Sequence, residues 1–230
     1  MNLVVAAVAL IAGIFVWWLA VRRLTTKSWE GQGTDDGRTL GQVGSSTAAR
    51  TGLWVFLAVA SSFFALFITA YLMRMSPEVV KGVDLRDWRP VTEPRILWLN
   101  TVLLLAGSCG MQLASAALRR GQFERARAGM LAGGVFAIAF LAGQWLAWRQ
   151  LQAAGYYLAG NPANAFFYVL TGLHALHLLG GLFVWGRATR RLSRGRTVTE
   201  LTRQGVELCT LYWHFLLVVW LVLFALLLLT

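Results

Sequence analysis

The chain has 230 residues, of which 57% are hydrophobic and 13% charged, and it carries a formal net charge of +11. Its mean hydropathy of +0.60 is too high for an ordinary soluble domain of this length, which argues against a water-soluble enzyme. The basic residues lie between apolar runs and not on a basic tail, which argues against a nucleic-acid-binding domain and indicates membrane topology.

Six apolar runs follow one another along the chain, at residues 3–21, 52–73, 96–118, 130–148, 163–185 and 205–229. Runs of about 20 residues are what an α-helix needs to cross a hydrocarbon core about 30 Å thick. The sequence therefore predicts an all-α integral membrane protein, a bundle of six transmembrane helices.

The first apolar run predicts an N-terminal helix that is separable from the rest. No basic residue precedes it and Arg22 and Arg23 follow it directly, which favours a retained anchor over a cleaved signal peptide. The next segment, with GQGTDDGRTLGQVGSS at its centre, has the composition of a flexible polar linker. We therefore predict an N-terminal transmembrane helix at residues 1–24, a flexible cytoplasmic linker at 25–50 and a five-helix bundle at 51–230.

The basic residues predict the orientation of the bundle. Three alternate connections, residues 22–50, 119–127 and 187–203, hold 15 of the 21 Lys and Arg residues. The positive-inside rule places these connections in the cytoplasm and both chain termini on the outer side.

The connection between the second and third runs contains RDWRPVTEPRILW. Its two prolines prevent helix continuation, and its tryptophans are expected at the headgroup level. We predict that it lies on the outer surface, and that a group of residues in and after it faces a partner protein: Trp88, Pro90, Pro94, Trp98 and Asn100.

The two cysteines, Cys109 and Cys209, both fall inside predicted membrane helices. We expect two free, buried thiols, with no disulfide framework and no cysteine metal motif.

Two histidines stand in the apolar stretch TGLHALHLLGG, residues 171–181. His174 and His177 are three residues apart, so on a helix they lie within about 60° of each other and face one neighbour, with Gly181 further along that face. The last apolar run has a comparable stripe, Glu207, Thr210 and His214. Ionisable residues inside a membrane segment are costly, so we expect these groups to face the bundle interior and to be paired there.

Two interpretations of these histidines are open. His214 opposite His174 or His177 could hold haem, or all three with Glu207 could hold a metal ion. The alternative, that they hydrogen-bond between helices and set the helix register, is favoured, because bis-His haem sites usually have small residues near each ligand and His214 is instead flanked by Tyr212, Trp213 and Phe215. A complete proton path is not predicted, because Glu207 is the one plausible intramembrane acid.

Other polar and small residues at membrane depth predict helix contacts. Each of Ser108, Asn100, Gln112 and Gln144 could contribute an interhelical hydrogen bond of about 1 kcal/mol. Five glycines are expected to allow close helix packing: Gly133, Gly134, Gly172, Gly180 and Gly181. No phosphate-binding loop, nucleophile elbow or zinc-protease motif is present, so no catalytic residues are predicted.

The segments TGLHALHLLGG and VELCTLYWHFLLVVW together resemble the signature segments of cytochrome c oxidase subunit III. WRPVTEPRILWLNTVLLLAGS and FLAGQWLAWRQL are also similar to bacterial members, so the resemblance covers roughly residues 52–230. The matching positions are Thr171, Gly172, His174, His177, Gly180, Gly181, Glu207, Tyr212, Trp213, His214, Phe215, Val219 and Trp220.

The resemblance implies a non-catalytic subunit of a bacterial haem–copper oxidase in the inner membrane, whose complex reduces O2 to water with electrons from cytochrome c. It implies that haem and copper belong to partner subunits, that this chain stabilises subunit I, and that it holds phospholipid or guides oxygen or protons. Two family acids are replaced, by Ala60 and Leu217, so their roles do not carry over. The first helix is additional to the five-helix bacterial form.

Three alternatives to this assignment stay open. Members of the family also serve quinol oxidases and occur beside nitric oxide reductases. An autonomous haem-binding electron carrier would use the three histidines, and a small transporter is disfavoured because no internal repeat is evident.

Overall fold

The structure is a computed structural model that describes residues 37–75, 95–194 and 199–228, with side chains for 48–75, 95–193 and 199–228. Residues Met1–Ser45 and Ser46–Thr230 form two separate units, and the bundle lies in the second. The described residues form five helices: α1 (Gly37–Met75), α2 (Ile96–Arg119), α3 (Phe123–Ala153), α4 (Pro162–Arg194) and α5 (Glu200–Leu228).

All five helices, α1 through its portion Ala48–Met75, are long and apolar enough to cross a bilayer. The all-α prediction and five of the six predicted spans are thus confirmed. The predicted helix at residues 3–21 lies outside the described residues.

Several helices extend past the apolar runs that predict them. α1 begins at Gly37, so the prediction of a flexible linker is wrong for residues 37–50, which are helical. α3 likewise begins seven residues before its apolar run, at Phe123. The physical reason is that a helix already nucleated in an apolar span gains one hydrogen bond for each further residue it fixes, so polar sequence continues it at low cost.

Local capping signals set the helix ends around the short connections. The side-chain Oδ1 of Asn161 accepts a hydrogen bond from the N–H of Ala163 at 3.0 Å, and Pro162 occupies the first helical position of α4. Gly121 and Gly155 each lie two residues past the end of α2 and of α3, and their φ angles of +71° and +85° are left-handed values that glycine adopts without a Cβ clash.

Successive helices run in opposite directions. Gly110 of α2 meets Gly129 of α3 across the tight turn between them. The hydrogen bond from Trp148 to Thr171 shows that α4 runs antiparallel to α3. The hydrogen bond from Tyr212 to the carbonyl oxygen of His177 shows the same for α5 and α4. The basic connections at residues 119–127 and 187–203 therefore share one end of the bundle.

The α2–α3 pair is joined by backbone contact between small residues. A Cβ placed on Gly129 would lie 2.7 Å from the carbonyl oxygen of Gly110 and 2.9 Å from the amide nitrogen of Ala114. One placed on Gly133 would lie 2.7 Å from the sulfur of Met111. Without a hydrophobic driving force between helices in lipid, such close approach supplies the dispersion contacts that hold membrane helices together.

α1 is attached differently, through one stripe of buried side chains. These residues recur every three or four positions, as expected for a single helix face: Leu57, Ala60, Phe64, Ile68 and Tyr71. Tyr71 packs edge-on against Phe166 of α4 with ring centroids 5.5 Å apart. Ala60, where the resemblance expects an acid, is 2% exposed, so this position is apolar and enclosed.

The cysteines do not share one environment. Both are free, but Cys109 is exposed on the outside of α2 while Cys209 is buried. The prediction of two buried thiols is wrong for Cys109, because a helix on the bundle surface turns part of its apolar sequence towards lipid.

Candidate functional site

The three histidines lie in three different environments, and they do not converge on one site. His174 is in the bundle core, and His177 borders a cleft beside α1. His214 lies at the lateral surface of the bundle, between α2 and α5. The interpretation that sets His214 opposite His174 or His177 is wrong, because α5 turns the stripe of Glu207, Thr210 and His214 towards α2.

His174 is fully buried among aromatic rings. Its ring centroid lies 5.6 Å from that of Phe140 on α3, edge-on, and 5.4 Å from that of Trp220 on α5. Neither ring nitrogen has a hydrogen-bond partner in the described residues. Trp220 is itself fixed, because its Nε1–H donates to the hydroxyl of Thr101 at 3.0 Å. The histidine thus acts here as a packing group that links three helices.

Polar pairs between helices lie near this aromatic core. The Nδ2 of Asn100 donates to the Oε1 of Gln144 at 3.3 Å, and the Nε1–H of Trp148 donates to the hydroxyl of Thr171 at 3.1 Å. Asn100 is fully buried against Gly143, so the prediction that it faces a partner is wrong. Its amide is costly to expose to lipid and finds a partner on α3 instead.

His177 points to the junction of α1, α4 and α5. Its Nδ1–H donates to the carbonyl oxygen of Leu173 at 2.8 Å, and its ring centroid lies 5.3 Å from that of Phe64 on α1. The hydroxyl of Tyr212 donates to the carbonyl oxygen of His177 at 2.9 Å. Tyr212 reaches that oxygen because the neighbouring Gly181 has no side chain: a Cβ there would lie 2.6 Å from the tyrosine Cε1.

A cleft of about 590 Å³ opens beside these residues. Its lining is almost wholly apolar, and Tyr212 and His177 are among its few polar members. It lies towards the beginning of α1 and of α5 and the end of α4. The other lining residues are Ala49, Leu53, Phe56, Leu176, Gly180, Gly181, Val184, Leu208, Cys209 and Trp213.

His214 forms a hydrogen-bonded group with two residues of α2. Its Nδ1 lies 2.6 Å from the hydroxyl oxygen of Ser108, and its Nε2 lies 3.2 Å from the Oε1 of Gln112. Both ring nitrogens are therefore occupied. As predicted, Ser108 and Gln112 connect helices.

Glu207 lies at the end of the bundle and not at its centre. Its carboxylate forms ion pairs with Arg119 at 3.3 Å and Arg203 at 3.5 Å, and its side chain is 37% exposed. The expectation of an intramembrane acid is wrong, because α5 begins at Glu200 and its first two turns stand beside the basic end of α2.

The predicted glycine contacts are found at three of five positions. Gly133 and Gly181 contact α2 and α5, and Gly134 lies under the ring of Trp185. A Cβ on Gly172 or on Gly180 would meet nothing within 4 Å, so the prediction is wrong for these two.

Sequence reasoning missed the large residues that complete the contacts. The Nε1–H of Trp185 donates to the carbonyl oxygen of Met130 at 2.8 Å, and Phe140 covers His174. The adjacent glycines Gly133 and Gly134 signal that something large packs there, but periodicity alone does not say which side chain on another helix does so.

The remaining predicted residues are placed as follows. Trp213 is 2% exposed and packs beside Gly181, while Trp98 is 57% exposed and packs edge-on against Phe224. Trp88, Pro90 and Pro94 lie outside the described residues.

The geometry assembles contacts between helices and one apolar cleft. Within residues 37–75, 95–194 and 199–228, no three or more His, Cys, Asp or Glu side chains come together in a way that could hold a metal ion.

Comparison with known proteins identifies one family. The profile of the family described as cytochrome c oxidase subunit III matches residues 1–229. A relative from Synechocystis sp., cytochrome c oxidase subunit 3, is 31% identical over 194 residues, which cover 83% of this chain and 79% of the relative.

Two further relatives extend the comparison. Cytochrome c oxidase subunit 3 of Thermostichus vulcanus is 30% identical over 179 residues, covering 76% of this chain and 84% of the relative. A haem–copper oxidase subunit I+III of Aeropyrum pernix is 27% identical over 181 residues, covering 77% of this chain and 22% of that longer protein.

Proposed function

The chain belongs to the cytochrome c oxidase subunit III family, and we propose that it is a non-catalytic integral subunit of a bacterial haem–copper terminal oxidase. The observation that carries the proposal is the family match over residues 1–229. In this proposal the complex reduces O2 to water with electrons from cytochrome c, and this chain stabilises the catalytic subunit I. Haem and copper are held by the partner subunits and none by this chain.

The fusion in Aeropyrum pernix supports subunit I as the main partner, because that protein is named as both subunits in one chain. A contact between the corresponding separate chains is proposed here. Trp98 is exposed in the first turn of α2 and remains a proposed contact with subunit I. Trp88, Pro90 and Pro94 remain proposed contacts as well.

The location proposed is the bacterial inner membrane, with six spans and both termini outside. Support for the orientation comes from the alternation of helix directions, which gathers the basic connections at one end of the bundle. By the positive-inside rule that end is cytoplasmic.

Phospholipid is the proposed ligand of the cleft between α1, α4 and α5. Its apolar lining suits acyl chains, and its volume of about 590 Å³ is in the range of ligand pockets. Arg50 and Arg187 are exposed at the same end of the bundle, where they could attract a lipid phosphate. Guiding of protons has less support, because Glu207 is already ion-paired at the bundle end.

The autonomous haem carrier has no comparable support. Both ring nitrogens of His214 are hydrogen-bonded, Nδ1 of His177 is bonded within its own helix, and His174 is packed between Phe140 and Trp220. A quinol oxidase or a nitric oxide reductase as the host complex stays an alternative, since both would use the same bundle.

The test is to purify the tagged chain from its membranes in mild detergent and to identify what accompanies it by mass spectrometry and by a reduced-minus-oxidised spectrum. We expect a large haem–copper subunit to co-purify, and the chain separated from it to be colourless. Haem that stays on the isolated chain and is lost in His174→Ala or His214→Ala would overturn the proposal.

A further inference from the structure

A groove runs between α2 and α5 on the lateral surface of the bundle. It contains a polar group, Ser108, Gln112 and His214, among residues that are otherwise apolar. Leu105, seven residues before Gln112 and so on nearly the same side of α2, is 42% exposed, and Gln112 itself is exposed. Leu113, about 100° further round the helix, is 67% exposed. At a rise of about 1.5 Å per residue, Gln112 lies about 10 Å along α2 from Arg119 at the charged end. It is therefore inside the hydrocarbon region.

The hydrogen bonds of this group can be assigned one after another. The Oε1 of Gln112 only accepts, so the Nε2 of His214 donates to it, and the Nδ1 then accepts from the hydroxyl of Ser108. This leaves the two N–H groups of the Gln112 carboxamide. Within the described residues, neither of them has a partner.

Other polar side chains on lipid-facing surfaces form hydrogen bonds within their own helix. The exposed hydroxyls of Ser62 and Thr69 on α1 donate to carbonyl oxygens four residues earlier in their own helix, at 2.9 Å and 2.8 Å. A glutamine held by a histidine on another helix has no such local acceptor. An unpaired amide in hydrocarbon costs several kcal/mol, so lipid is a poor occupant for this position.

We propose that the groove between α2 and α5 around Gln112 is the surface that docks a transmembrane helix of the catalytic oxidase subunit, which offers a backbone carbonyl or side-chain oxygen to the glutamine amide. This rests on the proposed function, since it takes subunit I as the partner. The hydrogen bond sets the depth and register of the contact, and Leu105, two helical turns before Gln112 on the same side of α2, supplies packing beside it.

Photocrosslinking within the intact complex tests the location. Leu113→p-benzoylphenylalanine places a photoreactive group next to Gln112, and Leu66→p-benzoylphenylalanine is the matched control, since Leu66 is 65% exposed on α1 against 67% for Leu113. We expect irradiation to link the chain to subunit I from position 113 and not from position 66. A link from 66 alone, or from 113 to a second copy of this chain or to lipid alone, overturns the proposal.

A pair of substitutions tests the hydrogen bond. Gln112→Leu removes the unpaired amide, whereas Thr69→Val removes a lipid-facing hydroxyl that is bonded within its own helix. In equilibrium dissociation of the detergent-solubilised complex, we expect Gln112→Leu to weaken the binding of this chain to tagged subunit I about three- to tenfold. Thr69→Val should leave it unchanged, and equal affinities for the two variants contradict the proposal.

The two proposals fail in different ways. If wild-type chain co-purifies with no haem–copper subunit, the proposed function itself is wrong. If subunit I co-purifies but neither the crosslink nor the affinity change is found, the function stands and the docking surface lies elsewhere. Circular dichroism of the Gln112→Leu chain alone checks that its helices are intact.

Discussion

The α2–α3 pair and helix α1 are held in the bundle in opposite ways. In the pair, Gly129 brings backbone within contact of backbone, so a Cβ added there collides with a part of the chain that cannot rotate away. α1 is held by aromatic side chains that reach across to α4 and α5, and a cleft remains beside them. The first joint is rigid, and the second leaves room for a ligand.

The sharpest way to break this contrast is Gly129→Ala. The new Cβ would meet backbone atoms of Gly110 and Ala114, so the two helices must separate along their whole contact. We expect the free energy of unfolding in mixed micelles to fall by more than about 4 kcal/mol, beyond the usual cost of overpacking. Gly172→Ala, where the Cβ meets nothing within 4 Å, is the control and should be neutral. Similar losses of unfolding free energy in both variants would show that the contact between α2 and α3 is not rigid.

Phe64→Ala tests the joint of α1. The ring is 3% exposed and packs on His177, so its removal should cost about 3 kcal/mol, the low end for such a truncation because the cleft is nearby. Phe63→Ala, at a neighbouring ring that is 53% exposed, should cost little. Amide hydrogen exchange should quicken in α1 and stay unchanged in α2 and α3; faster exchange throughout the bundle would contradict a separable joint.

Adjacent glycines of α4 allow a finer comparison at the cleft. Gly181→Ala forces the ring of Tyr212 to move, since the Cβ would lie 2.6 Å from Cε1, while Gly180→Ala meets nothing. A side chain yields more readily than backbone, so we expect a loss of about 1–2 kcal/mol for Gly181→Ala and none for Gly180→Ala in denaturant unfolding. A loss of stability as large as that of Gly129→Ala would mean that the packing of Tyr212 beside the cleft is as rigid as the contact between α2 and α3.

The smallest expected effect is that of Tyr212→Phe. It removes one hydrogen bond to the carbonyl oxygen of His177 and keeps the ring, so the stability should fall by about 0.6–1 kcal/mol. Tyr157→Phe, at a tyrosine 61% exposed in the turn before α4, is the control. A loss equal to that of Phe64→Ala would show that the hydroxyl, and not aromatic packing, dominates at this junction.

The fold was predictable from the sequence because each span carries its own signal, a run of apolar residues of the right length. The partners of individual side chains were not. Periodicity places Glu207 and His214 on one face of α5, but only the packing of all five helices shows that this face turns to α2 and not to His174. Asn100 shows the same limit, since a polar residue at membrane depth needs a partner, and the sequence does not say whether that partner is Gln144 or another subunit.

The apolar pattern also did not predict where the helices begin and end. Hydropathy marks the part of α1 that lies in lipid, and the helix nevertheless begins at Gly37. The capping residues Asn161 and Pro162, and the glycines at 121 and 155, were readable signals of ends, because each has a backbone or side-chain reason to stop or start a helix there.

The three-residue turn at residues 120–122 bears on how the protein enters the membrane. So short a connection keeps α2 and α3 together during synthesis, so neither can leave the translocon far from the other. Asn100 and Gln144 would each meet lipid unsatisfied if their helices were inserted one at a time. Insertion as a hairpin lets the amides pair before they reach hydrocarbon, and makes α2–α3 the first part of the bundle able to form.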